Sequence, residues 1–208
     1  MTNSGIRGSA PMNTEDALLA AAEDLLVRLL QPPIFNHCAR VFEYARAIAA
    51  NEGCAVDVAA LRIASLFHDA GTADEYDGPQ RFEVEGADAA AAFLTTHGWD
   101  ATRVDSVWEA IALHTSPQIA ERRGPVARYL RLGVRADFGD DTLLPRAEKH
   151  RSEVEAMYTR LMIEQCLGQT VVEQALRNPE KAPPSSWPGG LLQAHLGRTP
   201  GQGINPAF

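Results

Sequence analysis

The chain has 208 residues, with 19 Lys and Arg against 27 Asp and Glu and a net charge of −8. That length supports one core with terminal extensions, and its scattered cations form no basic stripe, which excludes a broad nucleic-acid surface but leaves room for a small anionic substrate served by one or two arginines. Three cysteines without CxxC spacing exclude a disulfide framework and suit a reducing compartment, and no apolar run approaches the roughly eighteen residues of a membrane span.

Residues 1–13 are polar, lack the apolar centre of a signal peptide and are expected to be flexible, in a cytoplasmic protein. Helical periodicity then dominates. Leu18, Ala22, Leu25, Leu26 and Leu29 define a first helix, with Asn13 and Asp16 as a capping pair and Pro32-Pro33 as its stop. A second helix is predicted over 36–52, with Val41, Ala45 and Ile48 on one face and Gly53 at its end. Asp57 caps a third, which closes on His68-Asp69. Residues 72–85 are polar, contain Gly78-Pro79 and read as a long functional loop. A fourth helix spans 86–97, with His97 at its C-cap. The fifth starts at Asp100 or Thr102 and ends at His114-Thr115; the sixth runs from Pro125 to Asp137. One long helix is predicted over 146–168, and a short one capped by Thr170 ends near Arg177. From 178 to 208 the chain holds six prolines and five glycines in thirty-one residues, so this tail is expected to be irregular, with Trp187, Leu191 and Leu192 as anchors on the body or on a second subunit. The expectation is an all-α helical domain over 14–177 followed by that tail, and the apolar faces are compatible with a homo-oligomer.

The run Leu61-Arg62-Ile63-Ala64-Ser65-Leu66-Phe67 delivers two metal-capable side chains, His68 and Asp69, to a glycine break at Gly71. Neighbours on a regular helix point about 100° apart, so both reach one ion only where the helix ends. His37 and Asp137 also fall near helix termini. Two imidazoles and two carboxylates suit zinc, with iron(II), manganese and cobalt also compatible, and the absence of sulfur points to a catalytic site that keeps a position open for water.

The order His37, His68-Asp69, Asp137 on successive helices resembles the HD superfamily of metal-dependent hydrolases, an all-helical bundle whose motif binds the metal. The segments Asn36-His37, Leu66-Phe67-His68-Asp69-Ala70-Gly71-Thr72, Arg81-Phe82-Glu83-Val84-Glu85-Gly86-Ala87 and Ala110-Ile111-Ala112-Leu113-His114-Thr115 are most similar to its cyanamide hydratase-like branch. That resemblance implies His37, His68, Asp69 and Asp137 as ligands of one divalent ion and a lyase that adds metal-activated water to cyanamide or a related small nitrile. Many HD phosphohydrolases carry a lysine where this chain has Thr72, which favours an uncharged small-molecule substrate.

Within that reading His114 and Thr115 are candidates for proton donor and orienter, and Asp69 for acceptor of the water's proton. Thr72, Arg81 and Glu83 are substrate-side candidates, with a salt bridge that orders the 72–85 loop as the structural alternative for Arg81 and Glu83. Two competing readings remain: an HD phosphohydrolase acting on a nucleotide or other phosphate monoester, for which Arg40, Arg46, Arg62 and Arg81 leave room, and a helical binding module that keeps the motif without catalysis.

Overall fold

The computed structural model describes residues 14–197 and Asn205. The N-terminal residues expected to be flexible, 1–13, lie outside the described residues. Among the described residues nine α-helices follow one another: α1 (Thr14–Leu29), α2 (Pro32–Asn51), α3 (Val58–Phe67), α4 (Phe82–Thr96), α5 (Ala101–Leu113), α6 (Pro125–Asp137), α7 (Glu148–Met157), α8 (Ile163–Arg177) and α9 (Trp187–Leu196). No strand occurs among the described residues, as the all-α expectation requires, and no helix there is long and apolar enough to cross a membrane.

Helix α3 is the axis of the bundle. Eight of its ten residues, Ala59, Ala60, Leu61, Ile63, Ala64, Ser65, Leu66 and Phe67, are buried, and it touches α1, α2, α4, α5 and α6. A helix apolar on nearly every side can only sit inside, and this one therefore carries His68 and Asp69 into the centre of the protein. Asp57 caps it as expected, accepting from the Ala60 amide at 3.0 Å. The largest helix pairings are α2 with α6 and α4 with α5, which flank that axis.

Several boundaries differ from the sequence expectation, each for a local reason. Pro32 ends α1 but also opens α2, where its missing N–H costs nothing because first-turn amides have no partner inside the helix. Helix α4 starts at Phe82 rather than 86: Glu83 and Glu85 lie in its first turn, where the helix dipole favours carboxylates. The loop before it is correspondingly shorter and holds two 3-10 turns, Ala70–Thr72 and Asp74–Tyr76.

The predicted helix over 146–168 is two helices, broken at 158–162, where Leu161 and Met162 have φ of 49° and 59°. Left-handed non-glycine residues cost about 1–2 kcal/mol each, and here the break releases backbone carbonyls: Arg40 donates to Tyr158 O at 3.0 Å and to Thr159 O at 3.2 Å. No Gly or Pro marks the break in the sequence. Thr170 does not cap a separate helix; its hydroxyl donates to Cys166 O inside an unbroken α8.

The tail is not wholly irregular either. Ser186 caps α9, accepting from the Gly189 amide, and Pro188 falls in the first turn, the one helical place a proline tolerates. Lys181, only 3% exposed, fastens this segment by donating to Asp77 Oδ1 and Gly78 O, both at 2.7 Å.

Gly71 is required for proximity, not for backbone freedom. It lies in the 3-10 turn after Asp69, and a Cβ there would stand 2.1 Å from Phe82 O, while a Cβ on Gly86 would meet Phe67 O at 2.8 Å. These two glycines let α4 lie directly against the His68-Asp69 turn. Gly71→Ala is expected to cost about 3 kcal/mol or more, at the upper end of overpacking penalties because its obstacle is backbone, measured by chemical denaturation. Wild-type stability in that variant would contradict the packing.

Candidate metal centre

His68 is the C-cap of α3, and Asp69 follows with φ −105° and ψ 10°, outside the helix. That departure turns the two consecutive side chains toward one point. His37 arrives from the first half of α2, which is buried beside it. His37 Nε2 and His68 Nε2 are 3.2 Å apart, and Asp69 Oδ2 lies 3.6 Å from the first and 3.4 Å from the second.

The hydrogen bonds fix what each atom offers. His68 Nδ1 faces Ser65 O at 2.7 Å, and a carbonyl only accepts, so Nδ1 carries the hydrogen and Nε2 presents a lone pair. His37 Nδ1 donates in the same way to Asp137 Oδ2 at 2.6 Å. Asp69 Oδ2 is buried without a hydrogen-bond partner. Two imidazole nitrogens and an orphaned carboxylate oxygen at this spacing repel one another unless a cation lies among them, either a proton between the two rings or a metal ion. Tetrahedral bonds of about 2.0–2.1 Å imply ligand separations of about 3.3–3.4 Å, which the three observed distances bracket. The residues present therefore fit a divalent metal, with three protein ligands and a position open for water or substrate.

Asp137 occupies a different place from the fourth ligand expected of it. It stands on the Nδ1 side of His37, away from the cluster, and Arg40 clamps it with Nε to Oδ1 at 2.7 Å and NH2 to Oδ2 at 2.8 Å. Arg160 adds a bond to Asp137 O at 2.9 Å. This is the arrangement in which a carboxylate fixes the tautomer and orientation of a ligating imidazole. Arg40 is wholly buried, so the pair is a structural member of the site that the sequence presented only as a spare cation.

His114, the C-cap of α5, places Nε2 3.6 Å from Asp69 Oδ1, and its Nδ1 donates to Ile111 O at 2.7 Å. Its free nitrogen is thus also a lone pair, so His114 is poised as a proton acceptor; it can deliver only a proton it has first taken. Thr115 follows it and donates to Glu83 Oε1 at 2.7 Å, and Glu83 is held by Arg81 NH2 at 2.6 Å. The loop-ordering salt bridge is therefore present. Thr72, by contrast, spends its hydroxyl on Asp69 O at 2.6 Å. Thr72, Arg81 and Glu83 are not among the residues that line the cavity.

That cavity holds about 630 Å³ and opens over His37, His68, Asp69 and His114. Arg131, Val134, Arg135 and Phe138, spaced i, i+3, i+4, i+7 along and just beyond α6, form one wall; Ser186 and Trp187 form another. Sequence reasoning missed this wall, although the spacing that makes it one face was visible. His97, also a histidine of the middle of the chain, is exposed at the α4 C-cap, as expected, and takes no part.

Burial disfavours the imidazolium at His68, and at His114 burial together with the nearby His68 charge does so more strongly; both lie below the ordinary 6.5. Burial works to raise Asp137, but hydrogen bonds from His37 and Arg40 outweigh it and hold the carboxyl well below the ordinary 3.8. Both shifts weaken the fold in acid, in different windows. In the metal-free protein the unfolded chain takes up protons at these histidines that the folded one refuses, so stability declines as pH falls below about 6.5. The Asp137 contribution is fully present above its unfolded value near 3.8 and is lost as pH falls through its lower folded value. Urea midpoints are expected to decline from pH 6.5 downward and to steepen below 4; a flat profile from 7 to 4 would contradict the buried neutral histidines.

A family model described as "HD domain" matches residues 34–166, about two thirds of the chain. The chain belongs to the HD domain family, a class of metal-dependent hydrolases, and its all-helical fold and His37, His68, Asp69 cluster agree with that membership. The comparison with curated proteins finds no match.

Proposed function

We propose that this protein is a metal-dependent hydratase, a lyase that adds water across the carbon–nitrogen triple bond of cyanamide or a related small nitrile. The observation that supports it most is the pair lining the cavity beside the cluster, a His114 with a free Nε2 and a Thr115 hydroxyl, two uncharged groups that suit an uncharged substrate. A divalent ion, with zinc the first choice for two imidazoles and a carboxylate, would be held by His37, His68 and Asp69 and would supply the Lewis acidity that brings a water's pKa toward neutrality.

The chain's own residues carry the protons. Asp137 fixes the tautomer in which the neutral His37 ring directs Nε2 at the cluster, and Ser65 O does the same for His68. His114 Nε2 takes a proton from the attacking water as the C–O bond forms and one π bond of the nitrile opens, then returns it to the nitrogen. The resulting imidic acid tautomerises to the amide, which for cyanamide is urea. Burial of His114 keeps this base neutral before the reaction.

Arg131 and Arg135 on the cavity wall, and a volume well beyond that of cyanamide, favour a second reading in which a phosphate monoester is hydrolysed. Metal-loaded protein incubated with cyanamide and with a nucleotide panel separates the two: urea without phosphate supports hydration, and phosphate without urea overturns it.

A further inference from the structure

Among the described residues Glu83 is the buried acid that neither belongs to the His37, His68, Asp69 cluster nor backs it as Asp137 does, and it is fully buried in the first turn of α4. Its charge is held there by Arg81, through NH2 to Oε1 at 2.6 Å and Nε to Oε2 at 3.3 Å, and by the amino end of the helix. An ionised carboxylate only accepts, so the 2.7 Å contact with Thr115 Oγ1 uses the single hydrogen that a threonine hydroxyl possesses. Arg81 NH2 also approaches that oxygen, at 3.4 Å, which occupies one lone pair weakly. What Thr115 has left to present to the cavity it lines, beside His114, is an oxygen lone pair.

We propose that Glu83 is a positioning residue that locks Thr115 as a hydrogen-bond acceptor, and that the site thereby selects nitrile-type substrates bearing an N–H next to the reacting carbon. This rests on the hydration reading and narrows it: cyanamide and monosubstituted cyanamides are accepted, whereas compounds without that hydrogen leave the Thr115 lone pair unmatched. A site built to hydrogen-bond a substrate rejects an analogue lacking the group more sharply than an apolar pocket rejects a methyl. Size does not account for the choice, because the cavity of about 630 Å³ accommodates the methylated analogues as well.

The test compares kcat/KM of the metal-loaded full-length protein for cyanamide, methylcyanamide and dimethylcyanamide, using urea formation or its methylated equivalents. The expected result is comparable values for the first two and a loss of about 10-fold or more for dimethylcyanamide, the scale of one hydrogen bond left unmade. In Thr115→Val that ratio falls toward one, and in Glu83→Gln, where the amide can donate to Thr115 and free its hydrogen, the ratio also falls. A structural role for Glu83 would lower all three substrates together and leave the ratio intact. Equal hydration of cyanamide and dimethylcyanamide by the wild type overturns this inference while the hydratase reading stands; hydration of none of the three overturns both.

Discussion

Asp69→Asn is expected to leave the metal-free protein at least as stable as the wild type and to abolish its response to metal. Asp69 Oδ2 is buried with no hydrogen-bond partner, so a neutral side chain of the same shape relieves an uncompensated charge. The same substitution removes the anionic ligand. A divalent ion at a thousand times its dissociation constant stabilises the wild type by about 4 kcal/mol, or about 8–16 °C at this chain length. The Asn variant should gain only a few degrees, and its activity should fall about 10³-fold, since a catalytic metal supplies several kcal/mol of transition-state stabilisation. Calorimetry with and without zinc, together with elemental analysis, measures both effects. A metal-free variant that melts far below the metal-free wild type would show that Asp69 serves the fold rather than an ion.

Arg40→Met should do the reverse, striking the fold first and the site through it. The substitution leaves Asp137 charged, wholly buried and paired only with His37 and, more distantly, Arg160. Removing one partner of such a pair costs about 3–5 kcal/mol, which corresponds to a fall in Tm of about 6–20 °C. It also frees the Tyr158 carbonyl and leaves Thr159 O to Asn36 Nδ2 alone, so the 158–162 break should become an early point of proteolysis and of rapid hydrogen exchange. Metal affinity should drop about 10- to 100-fold, because His37 loses the support behind it. The double variant Arg40→Met, Asp137→Asn should recover much of the stability and little of the affinity. If the single variant is as stable as the wild type, the Arg40–Asp137 pair contributes nothing.

These two residues also mark where the sequence was informative and where it stopped. His68-Asp69 was legible because an apolar helix that ends in two metal-capable side chains has few other uses, and the structure buries that helix on nearly all sides. Asp137 was legible as a member of the site but not in its role, since spacing along the chain cannot tell which nitrogen of His37 a carboxylate will meet. The break at 158–162 carries no Gly or Pro, and the groups that satisfy its carbonyls, Arg40 and Asn36, lie more than a hundred residues away. Helix α9 was hidden by its prolines and glycines, whose placement around a cap mattered more than their number. Gly71 was noticed for a turn, whereas it serves the approach of Phe82, a contact only the folded chain contains.

The pairing of His37 with Asp137 spans 100 residues, and Trp187 closes the cavity from fifty residues further along. During synthesis, then, the His68-Asp69 turn leaves the ribosome long before α6 exists to hold Asp137 behind His37, and before α9 exists to wall the cavity. A metal ion met at that stage finds two or three flexible ligands rather than a site. Loading of a metal there is therefore expected to follow the docking of α6 and α9, so that an ion acts on the folded domain rather than on the growing chain.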